Sequence, residues 1–126
     1  MAQAEHMSLR DRKAYALLSL YLGAVRSVAP EASYEELEVI GESVDTLARD
    51  VANEPVTGKQ QKPLDVFLVE AVGDAENFVA RRFRSTRVPE ATRSVLDALK
   101  RGASEFRRRD HAASNIPQNQ NSIRTR

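Results

Sequence analysis

The segment ARRFRSTR, residues 80–87, places Arg81, Arg82, Arg84 and Arg87 within eight positions, and FRRRD, residues 106–110, adds Arg107, Arg108 and Arg109. Guanidinium groups at this density can grip phosphate oxygens through paired N–H donors, so a nucleic-acid backbone is one ligand for this chemistry. Lys100 lies between the two clusters, and Arg124 and Arg126 close the chain. A reading device for base sequence is missing. Phe83 and Phe106, the aromatic residues among these cations, fall on the apolar face of their helices rather than as stacking platforms. The segment RSTRVPEATRSV lacks the turn glycine of a helix-turn-helix. Any nucleic acid held here would be held by its phosphates, without sequence preference.

The same arginines have a structural use. A helix C-terminus carries partial negative charge and favours cations, and an N-terminus favours anions, each placement contributing about 0.3–1 kcal/mol. Arg81, Arg82 and Arg84 end one predicted helix, Arg107, Arg108 and Arg109 end another, and Glu35, Glu36 and Glu38 begin a third. Arg93, Asp97, Arg101, Glu105 and Arg109 alternate in sign every four residues, which is a ladder along a solvated helix face. In an up-down bundle the two ends rich in Glu and Arg meet, so Glu35, Glu36 and Glu38 are expected near Arg81, Arg82 and Arg84. Lys100, Arg107 and Arg108 are the cations left over once the ladder is satisfied.

Catalytic chemistry has little to stand on. The two histidines, His6 and His111, lie in predicted flexible ends, and cysteine is absent. Without a positioned histidine the serines have no base, so no nucleophilic triad can be drawn. TGKQQK contains Gly58-Lys59 but not the spacing of a phosphate-binding loop. Glu35 and Glu38, at i,i+3, and Glu70 and Asp74, at i,i+4, could offer two carboxylate pairs to Mg²⁺ from neighbouring helices. This pattern loosely resembles the ExxE…ExxD motif of all-α nucleotide pyrophosphohydrolases, and the resemblance implies a Mg²⁺-dependent hydrolase. The second pair is one residue too long, and the basic residues expected beyond it do not match. No catalytic residue, metal ligand or cofactor is assigned.

Four periodic segments must position these groups. Ser8 followed by Asp11 starts a helix over 9–29 that stops at Pro30. Ser33 and Glu36 form a capping box for a second, 34–52, whose Leu37, Ile40, Val44, Leu47 and Val51 repeat at a 3-4-3-4 spacing. The stretch 53–63, with proline at both ends and glycine inside, reads as a loop. A third helix, 64–86, carries a broad stripe from Leu64 to Phe83. A fourth, 90–109, begins at Pro89 and buries Val95, Leu96, Leu99, Ala103 and Phe106. No segment alternates as a strand would. The expected fold is all-α: two helical hairpins packed as a four-helix bundle. Residues 1–7 read as a flexible leader, 8–110 as one domain, and 111–126 as a disordered basic and polar tail.

The 126 residues carry a net charge of only +1, yet the charge is segregated. Residues 31–54 hold eight acids and one base, and residues 81–110 hold ten bases and four acids. The most apolar run, AYALLSLYLGAV at 14–25, is too short for a membrane span, which needs about 20 apolar residues. Charged residues just before it argue against a signal peptide. These features point to a cytoplasmic protein without a membrane partner. The first helix is apolar around more than one face: Leu17, Leu18, Leu20, Tyr21, Leu22 and Val25 together span several sectors. Either that helix is central, or a second chain covers its outer side, in a homodimer or hetero-complex. The function expected is that of a non-enzymatic helical interaction module, with phosphate-backbone binding by the arginines as the alternative.

Overall fold

A computed structural model describes residues 7–55 and 62–124, with side chains described up to residue 109. Residues 1–6 of the expected leader 1–7 and most of the loop around Gly58 lie outside the described residues. The chain forms four helices: α1, Leu9–Val28; α2, Tyr34–Ala52; α3, Leu64–Arg82; and α4, Glu90–Arg124. No strand occurs among the described residues. Each helix contacts the other three, most closely its neighbours α1–α2, α2–α3, α3–α4 and α1–α4, which is a four-helix bundle.

Local chemistry sets the boundaries. The Ser8 hydroxyl accepts the Asp11 N–H at 3.1 Å and starts α1. α1 ends at Ala29, whose N–H still reaches Val25 O before Pro30 breaks the path. In the capping box of α2, Ser33 Oγ accepts the Glu36 N–H at 3.3 Å, and Glu36 Oε1 accepts the Ser33 N–H at 2.9 Å. That bond to the Ser33 backbone, with the hydroxyl's help, holds the Glu36 carboxyl below the usual range. α3 begins after Pro63, with no side-chain cap.

Two boundaries differ from expectation. α3 stops at Arg82 rather than 86, with Phe83 as its C-cap. Phe83 packs against the core, and its carbonyl takes the Thr86 N–H at 3.2 Å, a turn that redirects the chain towards Pro89. The helical backbone of α4 continues past 109, as far as Arg124. Lack of apolar residues speaks to packing, whereas extending an existing helix needs no new nucleus. Ala112 and Ala113 have high helix propensity.

The core is aliphatic. Leu17, Ile40, Val44, Leu68, Val79, Val95 and Leu99 are the largest apolar side chains fully inside. Thr92 is buried with them, its hydroxyl donating to Glu36 O at 2.5 Å and tying α4 to the first turn of α2. Two glycines make room for α1. A Cβ on Gly102 of α4 would stand 2.5 Å from Leu20 Cδ1, and one on Gly41 of α2 would stand 3.1 Å from the Tyr21 hydroxyl oxygen. Both α1 side chains therefore seat in notches on neighbouring helices.

Candidate functional site

The six apolar residues singled out on α1 separate into two groups. Leu17 is 1% exposed, and Leu20, Tyr21 and Val25 pack against the core. Burial pushes the Tyr21 hydroxyl above its usual pKa. These four pack on the chain's own interior, Leu17 fully and the other three in part. Leu18 and Leu22 are 38% and 54% exposed, and Tyr15, 66% exposed, extends them to a stripe at i, i+3 and i+7. Of the large apolar side chains exposed among the described residues, these three share α1, and Tyr34 stands in the first turn of α2. α1 touches all three other helices, and its outer side is still apolar. Gly23 lies on the exposed side, where an added Cβ would meet nothing within 4 Å.

Tyr15 escapes sequence reading because it follows RDRK and looks like part of a charged prelude. Its register with Leu18 and Leu22 is the signal that could have found it. The same helix hides a second surprise on its inner side. Lys13 is 3% exposed, its ammonium 5.6 Å from the centre of the Phe67 ring. Near that end of the bundle Asp65 is also buried and lies 3.9 Å from the Arg107 guanidinium.

The arginines are distributed differently from expectation. The three cations expected to be spare are engaged: Lys100 with Glu76 of α3, Arg107 with Asp65, and Arg108 with Glu105. The Glu76 bond raises the Lys100 pKa. The ladder on α4 closes at one rung, Glu105 with Arg109 at 3.9 Å. Arg82 does pair with an acid of α2, but the acid is Glu42, at 3.5 Å. Among the described residues no ion pair joins Glu35, Glu36 or Glu38 to Arg81, Arg82 or Arg84. The overlap of α3 on α2 brings Arg82 beside the middle of α2, beyond its first turn. Arg81, Arg84 and Arg87 are exposed and have no carboxylate within 4 Å among the described residues. A shallow depression of about 370 Å³ on α4 is lined by Lys100, Arg101, Ser104, Glu105 and Arg108, and two of its three cations are already paired.

Glu35, Glu38, Glu70 and Asp74 do not assemble. Among the described residues no group of three or more acids and histidines is gathered as a metal would require, and Glu70 is bonded to Lys62. His6 and the side chain of His111 lie outside the described residues. No described helix is long and apolar enough to cross a membrane. No family model matches the chain, and comparisons with curated proteins and with solved structures return no match.

Proposed function

We propose that this chain is a non-enzymatic helical interaction module, an adaptor, regulator or assembly component, that offers the outer face of α1 to a protein partner. The observation that carries the reading is the stripe of Tyr15, Leu18 and Leu22, exposed on one face of a helix whose other apolar residues are packed inside. Contiguous apolar surface of this kind is where soluble proteins meet partners. The proposal places the protein in the cytoplasm, with which a cysteine-free composition is compatible. Native mass spectrometry of the tagged chain, purified from its own cells, tests it. The wild type is expected in complexes that the L18E/L22E variant loses while its thermal midpoint stays put. A variant that keeps every complex sinks the reading.

A second reading rests on a separate observation. Arg81, Arg84 and Arg87 lie at and beyond the end of α3 without acidic partners among the described residues, so their guanidinium groups are open to phosphate. Titration with mixed-sequence RNA and DNA across a salt series checks this. Binding that weakens steeply with salt, and that R81E/R84E/R87E abolishes, supports it.

A further inference from the structure

We infer that the partner of the α1 face is a second copy of the same chain, docked with the two α1 helices antiparallel about a two-fold axis between Leu18 and Ser19. The inference rests on the interaction-module reading and names its partner.

The argument is one of self-complementarity. At about 100° per residue, Asp11, Tyr15, Leu18, Ser19, Leu22 and Arg26 fall within about 100° of arc. All six are exposed. A two-fold axis between positions 18 and 19 pairs each residue with the one whose number brings the sum to thirty-seven. Tyr15 then faces Leu22 of the other copy, Leu18 faces Ser19, and Asp11 faces Arg26. Every apolar residue meets an apolar or small one, and each acid meets a base. A two-fold interface requires such a match of a patch with itself.

The two charges are placed for this role. Asp11 is in the first turn of α1 and Arg26 in the last, where each also suits the helix dipole. Among the described residues neither the Asp11 carboxylate nor the Arg26 guanidinium has an ion-pair partner. Parallel docking in register would instead set Asp11 against Asp11 and Arg26 against Arg26, a repulsion at each end. The fifteen-residue separation places each ion pair about 11 Å from the crossing point. Only a shallow crossing, in the class near 20°, keeps both within reach. Small side chains at Ser19 and Gly23 border the apolar stripe and permit that close approach.

One pair of crossed helices covers less than the roughly 1,200 Å² of a standard stable interface. The dimer is therefore concentration-dependent, and sedimentation of the full chain from low micromolar to millimolar concentration is the primary experiment. The expected result is a shift from 14.1 kDa towards twice that mass. L22E should weaken association on the order of tenfold or more, since it places an unpaired carboxylate against Tyr15. D11R and R26D should each weaken it by roughly two- to tenfold, and D11R/R26D should restore it. Orientation is read by disulfide trapping, which has no background because the chain has no cysteine. A mixture of D11C and R26C chains should cross-link, whereas D11C alone should not. A wild type that stays monomeric at the highest concentration overturns the inference. The module reading survives that result if L18E/L22E still releases a different protein in native mass spectrometry. A dimer in which D11C links to itself, or in which the double charge swap rescues nothing, overturns the antiparallel register.

Discussion

In α2 the apolar residues Leu37, Val39, Ile40, Val44, Leu47 and Val51 all face the interior. Tyr34, in the first turn, is the single large exception. In α1 the apolar residues surround the helix, and the structure divides them: Leu17, Leu20, Tyr21 and Val25 inward, Tyr15, Leu18 and Leu22 outward. The two helices lie side by side in one bundle and are nearly equal in length. Their difference teaches that a seam of one width is accounted for by the fold, whereas apolar residues beyond that width need another explanation. Position in the core, and not hydrophobicity alone, separates structural leucines from candidate contact leucines.

The contrast can be broken from its inner side first. Ile40 is fully buried, so Ile40→Ala should lower stability by about 2–5 kcal/mol, read as a shifted urea midpoint. A loss below about 1 kcal/mol would mean that the α2 seam is not the core it looks to be.

Next comes the notch that turns Leu20 inward. Gly102→Ala places a methyl 2.5 Å from Leu20 Cδ1, so the leucine end must shift, and with the helix-propensity gain of alanine set against that repacking the net loss should be about 1 kcal/mol. In a Leu20→Ala background the obstacle is gone, and the same change should be neutral or favourable, as alanine is the better helix former by about 1 kcal/mol. A double-mutant cycle measures that reversal. Additive effects would show that Leu20 does not depend on the notch.

The cap of α2 sharpens the comparison at its edge. Ser33→Ala removes a hydroxyl that accepts the Glu36 N–H and should lower stability by about 1 kcal/mol. Glu36 adds a pH dependence. Its folded pKa is depressed, so its contribution is present above the ordinary carboxylate range and is lost as pH falls through the folded value. Glu36→Gln should flatten that part of the acid limb of a stability-against-pH curve.

The smallest effect belongs to the outer face. Leu22→Ser should change stability by less than about 0.5 kcal/mol, because its side chain is largely in solvent already. A large loss in a monomeric sample would place Leu22 with the structural leucines and erase the distinction between the two faces.

Much of the fold is legible in the sequence because it is written in short-range signals. Ser8, Ser33 with Glu36, Pro30 and Pro89 mark helix boundaries through local hydrogen bonds and backbone restriction, which need no knowledge of tertiary structure. The end of α3 escapes a sequence reading because Phe83 continues the apolar period while serving as the cap. The length of α4 escapes it because an apolar pattern reports packing, whereas a helix can run on without any. The candidate site is legible only in outline. Excess apolarity on α1 shows in the sequence, but the room that Leu20 and Tyr21 take up on the inner side is left by Gly102 and Gly41, on two other helices. Arginine pairing is harder still. Partners such as Glu76 for Lys100 and Glu42 for Arg82 depend on the axial offset between helices, which no periodicity encodes.

Lys13 gives the molecule a built-in chemical reporter. Its ammonium lies beneath the surface against Phe67, whereas Lys62 and Lys100 stand in solvent. Acylation by a mild amine reagent should therefore mark Lys62 and Lys100 first, at a rate slowed by their bonds to Glu70 and Glu76, and reach Lys13 only when α1 lifts away from α3. The lag between those modifications, followed by peptide mass mapping, clocks the opening of one end of the bundle under native conditions, without any introduced label.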